Sequence, residues 1–153
     1  MDIALGAMNR TRGPVWMLGV LLLASAEARP NDASPTTPNS RMVYQQHCAA
    51  CHGQHGEGAP NWRRPNQLGE LPAPPHDSEG HTWRHADAEL YRMVSKGWRD
   101  PFNKTQRLTM PAFETVLSPT EIWAVIAYLK TMWTPTQRAY QEKKTKRHPL
   151  SDR

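Results

Sequence analysis

The chain holds only two cysteines, three residues apart with a histidine directly behind them: Cys48-Ala49-Ala50-Cys51-His52. Two thiols cannot staple a disulfide-dense scaffold or fill a four-cysteine zinc ribbon. A thioredoxin-like redox pair belongs to a βαβ unit, yet no segment here alternates apolar and polar residues as a half-buried strand does. A mixed zinc site needs two further ligands, which the remaining histidines could supply. The sequence beyond the motif bears on the choice. Pro60, Pro65, Pro72, Pro74 and Pro75 punctuate a stretch of roughly 30 residues without helical or strand periodicity, and a compact domain seldom holds so long an irregular segment unless it wraps a ligand.

Composition points the same way. Counted with glycine and without tyrosine, apolar residues are 63 of 153, about 41%, below the ~45–50% of an ordinary domain. Six tryptophans and seven methionines nevertheless set the chain apart from a disordered polypeptide. A lean core rich in aromatic side chains suggests an interior partly filled by something other than protein. Haem meets these requirements. Each thiol can add across one vinyl group, giving two thioether bonds at Cys48 and Cys51, and the imidazole of His52 can reach the iron; C-x-x-C-H reads as c-type haem attachment.

The net charge of +5 suggests a nucleic-acid binder until it is located. Residues 29–137 hold eleven basic and ten acidic side chains, whereas 138–153 hold six and two. A groove-reading domain carries cations along one of its own elements, and none does so here, so nucleic acid is not an expected partner. At the other end, Arg10 and Arg12 precede the apolar run Val15–Ala26, with Ala24, Ala26 and Ala28 spaced for A-x-A cleavage. The run is shorter than the ~18–20 residues of a spanning helix. Residues 1–28 therefore read as a signal peptide that sends the remainder to the periplasm or otherwise out of the cell, soluble after cleavage; left uncleaved, the same segment is an anchor. Residues 29–39 read as a flexible linker, 40–133 as the globular domain, and 134–153 as a frayed basic tail able to make weak contact with an anionic membrane or an acidic partner.

Three helices are expected. One opens at Ser118-Pro119-Thr120-Glu121, a capping box with proline at the first helical position, and carries Ile122, Val125, Ile126, Leu129 and Trp133 on one face. A second starts near Asp87, brings Leu90, Met93 and Val94 together and stops at Gly97. A third begins at Asn39 or Ser40. Between the last two in the chain lies Leu108-Thr109-Met110-Pro111-Ala112-Phe113, where Met110 could approach a haem iron from the face opposite His52, although lone methionines usually fill core space.

Residues from about Ser40 to Trp133 resemble a class I (monohaem) cytochrome c, and the small bacterial periplasmic members in particular. The resemblance lies in Tyr44, in Cys48-Ala49-Ala50-Cys51-His52-Gly53, in Gly56-Glu57-Gly58-Ala59-Pro60-Asn61, in Met110-Pro111-Ala112-Phe113 and in Tyr128-Leu129-Lys130. It implies an all-α cytochrome c fold, about three to five short helices around one covalently attached haem c. It further implies proximal ligation by His52, distal ligation by Met110, a hydrogen bond from the His52 ring to the Pro60 carbonyl, and Tyr44 at the crossing of the first and last helices. His/Met ligation holds the reduction potential high.

The sequence departs from the plain family pattern at Pro72–His85, where His76, His81 and His85 flank Trp83. These form either a polar loop over the haem edge, a second metal site with copper as a candidate, or a substitute iron ligand. His47 and His55 read as surface or propionate neighbours, and Trp62, Trp83 and Trp98 as packing of the haem pocket. The expected function is that of a carrier rather than an enzyme, passing single electrons between redox partner proteins. The alternative is a haem subunit of, or direct electron donor within, a periplasmic redox enzyme, with or without an extra metal site at His76/His81/His85.

Overall fold

Helix formation begins at Asn39, whose side chain accepts a hydrogen bond from Met42 N at 3.2 Å and so caps α1, Ser40–His47. The computed structural model describes residues 38–149; the signal segment, the linker up to residue 37 and residues 150–153 lie outside them. Cys48 alone separates α1 from α2, Ala49–His52, and its N–H donates to Tyr44 O at 2.8 Å. After the long irregular stretch comes a single 3-10 turn, Thr82–Arg84, and then α3, Asp87–Lys96. Asp87 and Glu89 stand in the first turn of α3, where carboxylates complement the exposed amides. The next helix, α4, Pro119–Thr131, has the full capping box: Ser118 Oγ accepts from Glu121 N while the Glu121 carboxylate accepts from Ser118 N at 2.8 Å.

Packing follows the apolar faces. Leu90 and Val94 of α3 meet Ile122, Val125, Ile126 and Leu129 of α4, and α1 lies against α4 through Val43 and Tyr44. Tyr44 is fully buried, its ring 5.1 Å from that of Tyr128, and its hydroxyl donates to Gly53 O at 2.8 Å. One tyrosine thus joins α1, α4 and the turn after the cysteine motif. Each such aliphatic side chain contributes ~1.5–3 kcal/mol on burial. The fold is all-α; among the described residues the sole strand-like pairing is an isolated antiparallel bridge between Trp98 and Met110.

The end of the chain corrects one expectation. Instead of fraying from residue 134, it forms α5, Pro135–Arg147. Thr134-Pro135-Thr136-Gln137 repeats the capping logic of α4, with Thr134 Oγ1 accepting from Gln137 N and Gln137 Oε1 accepting from Thr134 N. The helix has no apolar face. An edge-to-face contact of Tyr140 on Trp83, centroids 5.5 Å apart, and polar bonds dock it instead: Gln141, 2% exposed, donates from Nε2 to Asp87 Oδ1 at 2.6 Å, to His85 O at 3.2 Å and to Thr145 Oγ1 at 3.1 Å. Asp87 N donates to Thr145 Oγ1 at 3.1 Å, and Lys130 Nζ of α4 lies 2.7 Å from the same carboxylate.

Candidate haem site

The short α2 sets the geometry of the motif. Three residues of helix bring side chains to neighbouring positions on one face, so the thiols of Cys48, buried, and Cys51, exposed, are neighbours; both are free. Burial, and then the nearby Cys51, push the Cys48 thiol up to about 11, so it is protonated near neutrality.

His52 follows, 7% exposed. Its Nδ1 lies 2.9 Å from Pro74 O. A carbonyl can only accept, so Nδ1 carries the hydrogen and Nε2 presents its lone pair. Burial holds the imidazole below its ordinary pKa, against the raising effect of the Pro74 bond. The ring is therefore neutral, as a metal-ligating histidine must be. His76 stacks on it, with centroids 3.9 Å apart and planes 22° from parallel, and is itself held by Nδ1 on Thr82 Oγ1 at 2.8 Å.

The carbonyl facing His52 is not that of Pro60. Gly58 N donates to His52 O at 2.8 Å, Ala59 N to Ala73 O at 2.8 Å and His76 N to Gly56 O at 2.7 Å. These bonds lay residues 73–76 along 56–59 and bring Pro74 to the ring, while Pro60 falls beyond the paired stretch in an exposed turn. Gly58 makes the approach possible: its φ is +74°, and a Cβ there would stand 2.5 Å from Pro75 N.

Met110 lies on the irregular segment between α3 and α4, half-buried against the hydrophobic core. Its backbone pairs with Trp98 in both directions, at 3.0 and 2.9 Å. Phe113 N then donates to Val94 O at 3.0 Å, tying the segment to the end of α3. At Gly97, φ +77°, a Cβ would meet Met110 O at 2.6 Å, so glycine lets the Met110 backbone press against the end of α3.

Of the three extra histidines, His81 and His85 are ring neighbours with centroids 5.5 Å apart. His76 belongs to the His52 stack, whereas His81 stacks on Trp62 with centroids 5.9 Å apart. His85 Nδ1 is 2.9 Å from Glu89 Oε1 without hydrogen-bonding geometry. Among the described residues no group of three or more His, Cys, Asp or Glu side chains could hold a metal ion. Of the flanking histidines, His55 is exposed and His47 places its ring 6.4 Å from that of Phe113. Trp62 also carries Arg63 over its face at 4.1 Å.

Two adjacent thiols and a neutral buried imidazole with a free Nε2 form a donor set that suits haem c, and Met110 offers a half-buried thioether on a separate segment. A family model for cytochrome c matches residues 39–133. The chain belongs to the cytochrome c family: it is a haem-based electron carrier with covalently bound haem c, and Cys48, Cys51 and His52 fit the haem-binding motif. It acts with redox partner proteins, as the family does. No curated protein matches the chain. Among the described residues no helix is long and apolar enough to cross a membrane.

Proposed function

We propose that this chain is an exported single-electron carrier of the small bacterial periplasmic kind. Cys48 and Cys51 hold the haem by thioether bonds, His52 is the proximal iron ligand and Met110 the distal one. The observation that carries the reading is the hydrogen bond from His52 to Pro74 O, which fixes the ring and leaves Nε2 for iron. When bound, the haem supplies one-electron exchange between Fe(III) and Fe(II).

The protein's own residues set the conditions for that exchange. The neutral imidazole of His52 and the thioether of Met110 add no charge to the iron, and the sulfur favours Fe(II), keeping the potential high. With His52 and Met110 both holding the iron, the protein would leave no place there for oxygen or peroxide, which favours a carrier over a catalytic subunit. Arg10, Arg12 and the run Val15–Ala26 support export. The docked α5 presents Lys143 and Arg147 to solvent, and positive groups of this kind raise the on-rate toward an acidic redox partner at low salt.

The distal ligand provides the test. Met110→Ala should lower the potential, abolish the sulfur-to-iron charge-transfer band of the oxidised protein and let the reduced protein bind carbon monoxide, while the haem stays attached. A variant with the wild-type spectrum and potential would make Met110 core filler and defeat the His/Met assignment.

A further inference from the structure

Glu70 is a carboxylate buried to 6% exposure, remote from the haem-binding motif in sequence. Arg107 holds it from two nitrogens, Nε at 3.1 Å and Nη2 at 2.6 Å, and Asn66 Nδ2 donates a third bond at 3.0 Å. The Arg107 side chain is 68% exposed, so the pair is a fork reaching in from the surface onto a buried anion. Arg107 stands three residues before Met110. Its carbonyl accepts from Asn103 Nδ2 at 3.0 Å, and Asp100 Oδ2 accepts from Leu71 N at 2.7 Å. Residues 66–71 and 98–110 are thereby stitched together along an interior of buried polar groups, and the Trp98–Met110 pairing closes the second segment at its base.

We infer that the Glu70–Arg107 pair is a positioning device for Met110, setting how fully its sulfur occupies the distal site. The inference rests on the reading of Met110 as the distal ligand. A buried carboxylate is costly unless it is paired and hydrogen-bonded, and here its charged partner, Arg107, lies on the irregular segment that leads directly into Met110. A thioether is a weak ligand, so its occupancy depends on how strongly the surrounding chain favours the arrangement that presents it. Removing either member of the pair leaves residues 66–71 and 98–110 joined by the Leu71–Asp100 and Lys104–Leu68 bonds but takes away the tie that stands three residues before Met110. Arg107 and Glu70 touch neither iron nor haem in this scheme; they act through Met110.

The experiment uses the holoprotein. Arg107→Gln and Glu70→Gln should weaken the charge-transfer band, lower the potential and admit carbon monoxide to the reduced iron at neutral pH. Arg107→Lys, which keeps the charge but loses the fork, should fall between these variants and wild type. Glu70→Gln leaves a neutral amide and Arg107→Lys keeps a cation on the carboxylate, so both should fold even if Arg107→Gln, which strands a buried charge, does not. Gln141→Ala, which loosens α5, supplies a destabilised comparison and should keep the band intact. If Met110→Ala loses the band but Arg107→Gln keeps the wild-type band, potential and resistance to carbon monoxide, the pair is structural only and the inference falls while the ligand assignment stands. If Arg107→Gln and Gln141→Ala weaken the band alike, general destabilisation explains the effect and the inference falls as well. A Met110→Ala variant that keeps the band overturns both.

Discussion

His52 gives its Nδ1 hydrogen to the carbonyl of Pro74 at 2.9 Å, a bond that links the cysteine motif to a proline 22 residues further along the chain. The bond depends on the close passage of residues 73–76 along 56–59. Gly58 is where that passage is tightest, with Pro74 C 2.8 Å from the position of a Cβ. Gly58→Ala is expected to destabilise the holoprotein by ~1–3 kcal/mol, since backbone must move and the positive φ is strained. It should also raise the reduction potential, because a His52 ring without its acceptor is a poorer donor to Fe(III). Denaturant unfolding and potentiometric titration check both effects; no change in either would contradict the described pairing.

Gln141 is the polar counterpart of a core residue. Its amide joins the start of α3 to α5, and truncation leaves the carbonyl of His85 and the Asp87 carboxylate short of a donor. Gln141→Leu, which keeps most of the volume, should cost about 1–3 kcal/mol. The melting temperature should drop by ~4 °C or more for each kcal/mol. A melting temperature equal to wild type would mean that α5 is held by something other than these bonds.

Acid should release the Glu70 network. The hydrogen bonds from Arg107 and Asn66 hold the Glu70 carboxyl below its ordinary range. A depressed folded-state pKa contributes stability that is fully present above the unfolded value, ~4.3 for glutamate, and is lost as pH falls through the folded value. Glu70→Gln should therefore be less stable than wild type at pH 7, and the gap should narrow as the pH is lowered below about 4. Melting curves across that range check the sign; a gap that widens toward acid would refute it.

Much of this architecture was legible along the chain, for reasons that differ by element. The Ser118-Pro119-Thr120-Glu121 cap and the apolar spacing of Ile122, Val125, Ile126 and Leu129 are local signals, and α4 forms accordingly. Thr134-Pro135-Thr136-Gln137 carries the same signature, but α5 lacks an apolar stripe because its one buried residue is Gln141. The docking of α5 depends on the Asp87 carboxylate some fifty residues away, which no periodicity reveals. Pro60 and Pro74 present the same chemistry to a histidine; the choice between them is made by turns at glycines with positive φ, a tertiary effect. His76, His81 and His85 look like a ligand set by spacing, yet stacking on His52 and on Trp62 draws His76 and His81 to different neighbours. Glu70 gave no sequence signal at all, since its partner Arg107 lies 37 residues away.

The covalent bond between protein and haem is the property on which the rest depends. Denaturing gel electrophoresis with haem staining, run on wild type, Cys51→Ala and Cys48→Ala/Cys51→Ala produced under the same conditions, tests it directly. Wild type should carry haem through the gel, and the single variant should do so in low yield with a shifted pyridine haemochrome band. The double variant should carry none. Haem still migrating with the Cys48→Ala/Cys51→Ala chain would contradict attachment at this motif.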